Sequence, residues 1–314
     1  MTLRRAWVAV AIAAVLAFPW AAGSYVNYVT CLALTYSLVT LSLNWVTGYA
    51  GQITLGQGGF FAVGAYLTAA AVVHAGWPLP AAILLSAVAT GALGLLLGVP
   101  ALRLQGHYLA LATLFFSLAV PEAIMALPSL TGGANGINVP PSTTFFGLHL
   151  SNLRDAYYVL IALVTLVVLV DRTMLRSKLG RAFLAIRDSE TAAASVGIPI
   201  EVYKVTAFTA SGVIAGLAGG LYGSIAGYLN PATFDLWLSI YFFAALIVGG
   251  LGNVYGAVIG GILVVALPQL FSQAQNLANI LYGAILVVVL LTLPGGVADW
   301  PRLSRAVRWL WHPR

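Results

Sequence analysis

The chain has 314 residues, of which 61% are hydrophobic and only 7% charged, with a mean hydropathy of +0.97. Soluble domains carry roughly 25% charged residues, so the composition excludes a soluble globular fold and indicates a polytopic membrane protein. The net charge of +6 would point to nucleic acid in a soluble domain, but arginines in short loops and a tail instead set orientation across a bilayer.

A hydrocarbon core about 30 Å thick takes about 20 apolar residues per helix, and such runs predict an all-α fold of about 10 transmembrane helices (8–10) in a single domain over 1–314. Their expected positions are 6–22, 24–46, 53–73, 79–100, 107–127, 156–171, 204–226, 236–250, 254–270 and 278–294. The first run resembles a signal peptide, with Arg4 and Arg5 before it and Ala21, Ala22 and Gly23 after it. Retention is expected, because the first apolar run of a polytopic chain usually serves as its first span. Cys31, the one cysteine, lies in the second run and reads as a small core residue; it excludes an intramolecular disulfide.

The next segment, NWVTGYAGQITLGQGGFFAVGAYL, interleaves Gly48, Gly51, Gly56, Gly58, Gly59 and Gly64 with Asn44, Gln52, Thr54 and Gln57. Amides and hydroxyls at membrane depth need partners, and glycines let a helix break around a cavity. Asn44, Gly48, Gly51, Gln52, Thr54 and Gln57 are therefore candidates for a polar path. Glu122, after Pro121, is the acidic residue nearest to an intramembrane position, and it reads as interfacial. The loop from Pro128 to Asp155 is rich in glycine, proline, asparagine and threonine, as an exposed connection should be.

A polar, mostly basic island follows, from Asp171 to Lys204, with Arg172, Arg176, Lys178, Arg181 and Arg187 inside it. Leu179, Phe183 and Ile186 fall at i, i+4 and i+7, which predicts an amphipathic helix too charged to insert. A second short helix is expected from Asp188 or Ser189 as N-cap to Gly197 and Pro199. On residues alone this element is either an interfacial helix on anionic lipid or a docking surface for a partner. Beyond it, Gly216, Gly219, Gly220 and Gly223 read as close helix packing. The segment LIVGGLGNVYGAVIGGIL forms a second Gly-rich break around Asn253, a further candidate for the path. In the tail, 297–314, Trp300, Trp309 and Trp311 alternate with arginines and suggest an interfacial anchor.

With the N-terminus cytoplasmic, ten spans place Arg103, the island and the tail arginines inside and leave Arg154 outside, so both termini are expected in the cytoplasm. The chain has no Gly-Lys-Ser/Thr, since Lys178 follows Ser177 and Lys204 follows Tyr203, so no P-loop binds ATP here. His74, His107, His149 and His312 lack ligand spacing, and no catalytic constellation, metal site or cofactor is expected.

Four stretches, LNWVTGYAGQITLGQGGFFAVGAYLTA, RSKLGRAFLAIRDSETAAASVGIPIEVYKVTAFTASGVIAGLAGGLYG, LIVGGLGNVYGAVIGGIL and LYGAILVVVLLTLPGGV, resemble the permeases of branched-chain amino acid ABC importers, from about Tyr28 to Val297. The M-type permease of the leucine/isoleucine/valine system is the nearest type. The resemblance implies a bacterial inner-membrane importer subunit, a second homologous permease in a heterodimer, two ATPase subunits at the cytoplasmic face and a periplasmic solute-binding protein. It makes 172–203 a coupling loop: its EAA-x3-G pattern falls on Thr191, Ala192, Ala193 and Gly197, with Glu190 one position early. The coupling residues so implied are Leu179, Arg181, Phe183, Arg187, Glu190, Ala192, Ala193 and Gly197. Rival readings are a permease for urea or short amides, a sodium-coupled carrier and a membrane scaffold.

Overall fold

The computed structural model describes residues 15–104, 106–140, 144–270 and 295–299, with the single positions 13 and 283. Six helices within these residues are long and apolar enough to cross a membrane, and two shorter apolar helices accompany them. The long ones are α1 (Ser24–Leu43, extended by a π-helical stretch at Asn44–Tyr49), α2 (Gln57–Ala75), α3 (Leu79–Ala101), α4 (His107–Met125), α5 (Leu153–Arg176) and, after two short helices, α8 (Ile200–Ala226). Those two are α6 (Lys178–Asp188) and α7 (Glu190–Ser195); the shorter apolar pair is α9 (Leu236–Gly249) and α10 (Val254–Leu270). The chain is thus a multi-pass helical membrane protein. The expected first span is described only at positions 13 and 15–22, and the expected last span and the tryptophan-rich tail from 300 lie outside the described residues.

At the two edges of the basic island the boundaries differ from the hydropathy reading, for one reason. Helix α5 runs on past Asp171 to Arg176, and α8 starts at Ile200, before Lys204, because the charged residues at these ends are buried or lie on the helix flank and do not interrupt the backbone pattern. Caps stop the helices instead. Ser177 accepts from the Leu179 amide and Ser189 from the Ala192 amide, each at 3.2 Å. Gly197, at φ 81°, closes α7.

Helix α8 lies against α3 and α2, and α1 sits between α8, α5 and α10. Small residues permit these approaches: a Cβ at Gly64 would stand 2.5 Å from the Gly216 carbonyl oxygen, and one at Gly94 would collide with that of Phe208. Lipid tails supply no hydrophobic drive between helices, so close backbone packing of this kind holds the bundle. The cluster of Gly216, Gly219, Gly220 and Gly223 is therefore a packing stripe. Gly249, Gly256 and Gly260 serve the α9–α10 contact in the same way. Tyr36, Phe61, Tyr222, Phe234 and Phe242 fill the interior with mutually tilted rings.

The two ends of the bundle are unlike. One carries the long loop, in which β1 (Ile137–Asn138) pairs antiparallel with β4 (Tyr228–Leu229), and β2 (Thr144–Phe145) with β3 (Leu148–His149). The other carries the α1–α2 break, α6, α7 and the α9–α10 turn.

Candidate functional site

Every residue of the π-helical stretch Asn44–Tyr49 is buried, and residues 50–56 leave helical structure before α2 begins. A wider turn and an unwound segment free backbone groups that must find partners inside a membrane protein. Two sets of partners take them, one at each edge of the break.

At the edge that faces α6 and α7 the partner is the basic island. Phe183 and Ile186 of α6 are buried and Leu179 is half-buried, and the Phe183 ring meets Trp45 edge-on at 6.3 Å between centroids. Arg187 Nη1 donates to the Gly48 carbonyl oxygen at 2.6 Å, a guanidinium at the carbonyl end of the widened helix, where the helix dipole favours a cation. Gly51, at φ 71°, lies against the Arg187 backbone, and a Cβ at Gly252 would meet Arg187 Nη1 at 2.5 Å. Asn44 Oδ1 accepts from the Gly252 amide at 2.9 Å, so both glycine-rich turns close around one arginine.

Beside it Glu190 Oε1 accepts from Lys204 Nζ at 2.7 Å and from Gln52 Nε2 at 3.0 Å. Lys204 is 2% exposed and Glu190 28%, so the lysine depends on this carboxylate far more than the reverse. Asp171 is fully buried one element away, held by Trp45 Nε1 at 2.6 Å and Tyr49 Oη at 3.2 Å. Both donors come from the π-helical stretch. Helices α5, α6, α7 and α8 are thereby all tied to the α1–α2 break.

Deeper in, hydroxyls on α4, α8 and α9 take over. Thr113 Oγ1 accepts from the Leu55 amide at 3.0 Å, Ser239 Oγ from the Gly58 amide at 3.1 Å, and Ser211 Oγ from Gln57 Nε2 at 2.5 Å. Ser117 and Ser239 hydrogen-bond each other at 2.7 Å, and Thr54 Oγ1 accepts from the Gly56 amide. Thr113, Ser117 and Pro121 recur every four residues and so form one stripe of α4. About one helical turn, 5.4 Å, beyond Ser117 the stripe enters a cavity of 550 Å³ bounded by α4, the 230–235 turn and the start of α9.

The structure thus brings Asn44, Gly48, Gly51 and Gln52 together with Arg187 and Glu190 at the α6–α7 edge, and groups Thr54 and Gln57 with the buried hydroxyls. Asn253 stands apart from both, capping α10 through the Tyr255 and Gly256 amides. Arg181 points away from the break and donates to the Arg176 carbonyl oxygen at 3.1 Å. Ala193 is buried, while Ala192 and Gly197 are exposed. Sequence reading misses Asp171 as a buried anchor, and Thr113, Ser117, Ser211 and Ser239 altogether. Their spacing holds the signal: Leu160, Val164, Val167, Asp171 and Met174 share one helical face, as do Leu109, Thr113, Ser117, Val120 and Ile124.

The site is thus a helix of a multi-pass membrane protein, broken at a polar layer, with an amphipathic element seated on the break. The chain belongs to the family described as branched-chain amino acid transport system / permease component, which it matches over residues 25–290. It is 32% identical to the high-affinity branched-chain amino acid transport system permease protein LivM of Salmonella typhimurium and to that of Escherichia coli, over 87% of this chain and 70% of theirs. It is also 25% identical to LivH of Escherichia coli, over 87% of this chain and 94% of the relative. No solved structure matches the chain.

Proposed function

We propose that this protein is a transmembrane subunit of an ATP-driven importer that carries branched-chain amino acids into the cytoplasm. The family membership supports the transport class, and one observation carries the mechanism: α6 and α7 are bonded directly to the unwound segment between α1 and α2. A push on these helices from a partner moves the break with them. The chain has no Gly-Lys-Ser/Thr of its own, so hydrolysis belongs to separate ATPase subunits.

In this reading the faces of the element divide the work. Arg187, Glu190, Phe183 and Ile186 hold it to the bundle. Lys178, Arg181, Leu184, Ala192, Val196 and Gly197, all exposed, meet the ATPase. The path runs from the cavity at the loop end along Ser117, Ser239 and Thr113 to the break, where Gln57, Thr54 and Gln52 line its inner part. Such a path is mildly polar and free of titrating groups at its centre, which suits a solute handed over by a binding protein. Similarity to both LivM and LivH proteins supports a second, related permease as the partner across the membrane. The positive-inside pattern favours about ten spans with both termini in the cytoplasm.

The test of cargo is ligand binding by the solute-binding protein encoded with this chain, across leucine, isoleucine, valine, urea and short amides. Tight binding of the aliphatic amino acids is expected; binding of urea or amides alone would overturn the choice of cargo.

A further inference from the structure

The α9–α10 turn that closes on Arg187 also borders a basic groove. This groove, of 370 Å³, runs between the end of α5 and the start of α10 and is lined by Arg172, Leu175, Arg176, Gly252, Asn253 and Tyr255. Arg172 and Arg176 stand one helical turn apart, both exposed, and neither has a carboxylate partner among the described residues. The Arg172 guanidinium lies 5.8 Å from the centroid of the Tyr255 ring, a cation–π contact that joins the two helices across the groove. Asp171, the adjoining carboxylate, is buried and held by Trp45 and Tyr49. Asn253 uses its Oδ1 on the α10 cap, and its amide nitrogen makes no hydrogen bond among the described residues. Beside the charges the flanks are bare and apolar. Leu169 shares one exposed face of α5 with Arg172 and Arg176, and Tyr255, Ile259 and Ile262 share one exposed face of α10. Helix α5 has 24 residues and is therefore about 36 Å long, against a hydrocarbon core about 30 Å thick. Its final arginines thus reach headgroup level, with the apolar strip at acyl-chain depth.

We propose that this groove binds an anionic phospholipid from the leaflet beside α6 and α7. Arg172 and Arg176 donate to its phosphate oxygens, the Asn253 amide is a third donor, and the acyl chains lie along Leu169, Ile259 and Ile262. Two features select this occupant. Guanidinium groups without a carboxylate partner favour an anion, and an exposed apolar strip leading away from them favours hydrocarbon chains at the same place; a phospholipid supplies both. Basic pockets between membrane helices are seats for such headgroups on the cytoplasmic side, where anionic lipid concentrates. That α6 and α7 lie on this side rests on the importer reading above. Gly252 connects the groove to the break: it lines the groove, donates its amide to Asn44 and lies against Arg187. A lipid held here braces the turn on which the unwound segment closes.

The experiment uses the purified full-length protein in neutral detergent, with dioctanoyl phosphatidylglycerol as the probe and dioctanoyl phosphatidylcholine as the control of no net charge, read by native mass spectrometry and by thermal melting. Wild type should retain phosphatidylglycerol in preference to phosphatidylcholine and melt at a higher temperature in its presence. The double variant Arg172→Gln, Arg176→Gln should bind phosphatidylglycerol about thirtyfold more weakly, the effect of removing two basic residues from an anionic surface. Its melting in detergent alone should match wild type, because both side chains are exposed. The double variant Arg172→Lys, Arg176→Lys keeps the charges and should keep most of the binding, which a merely structural defect would not restore. Equal retention of phosphatidylglycerol by wild type and the glutamine variant overturns the site. Glycerol 3-phosphate that displaces bound lipid as well as free dioctanoyl phosphatidylglycerol does would show that the anion alone is held, and overturns the phospholipid. Neither readout involves transport, so the result stands apart from whether the chain imports aliphatic amino acids.

Discussion

Lys204 is a buried cation that depends on one neighbouring carboxylate. Buried at 2% exposure, it has its one carboxylate partner among the described residues in Glu190, which itself reaches solvent. Glu190→Gln should therefore cost about 3 kcal/mol, the lower range for stranding one member of a buried pair. Lys204→Met should cost less, because the carboxylate left behind can be hydrated, and the double variant should recover much of the single Glu190→Gln loss. Thermal unfolding of the purified protein in detergent reads all three. Asp171 makes a second, independent case. Asp171→Asn keeps an acceptor for Trp45 Nε1, whereas Asp171→Leu leaves both that donor and the Tyr49 hydroxyl unpaired, at about 1–3 kcal/mol for each orphan. The leucine variant should melt well below the asparagine variant; equal melting would show that the carboxylate anchors nothing.

Among the helices, glycine has two different uses, and substitution separates them. Gly64 faces the Gly216 backbone at a distance no Cβ tolerates, so Gly64→Leu should push α2 from α8 and prevent accumulation of folded protein in the membrane. Gly197 has open space around it and a φ of 81°; Gly197→Ala should fold and lose about 1 kcal/mol to backbone strain. Expression in membranes and detergent melting distinguish the two. The same contrast explains what a reader of the sequence can and cannot see. Apolar runs locate α1 to α5 and α8 to α10 within a few residues, and caps at Ser189 and Gly197 locate α7, since both signals are local. The role of Gln52 is not local. Its amide meets Glu190, 138 positions away, and nothing in the spacing of glycines and amides distinguishes a residue lining a path from one seating a neighbouring helix. Asp171 and Lys204 read as loop charges because hydropathy averages over a window, while burial is decided by which face a residue occupies.

Taken whole, the molecule is two ends joined by a stripe of hydroxyls. At one end α6 and α7 grip the unwound segment; at the other lies the cavity beyond Ser117; Thr113, Ser117 and Ser239 connect them. An outside force on α6 and α7 can thus reach the membrane interior through bonded contacts, the form of coupling that a bistable bundle amplifies. The outward side of the element should then be expendable for folding and essential for partnership. Leu184→Glu with Val196→Glu, at two exposed positions, should leave the melting temperature unchanged and abolish co-purification of the ATPases; intact co-purification would place the docking surface elsewhere. The most direct measurement is uptake of labelled leucine by vesicles holding this protein with the proposed partner permease, ATPases and binding protein. Accumulation that requires ATP on the side of α6 and α7 and the binding protein on the opposite side is the predicted result. Accumulation driven by a sodium gradient without ATP would contradict the account.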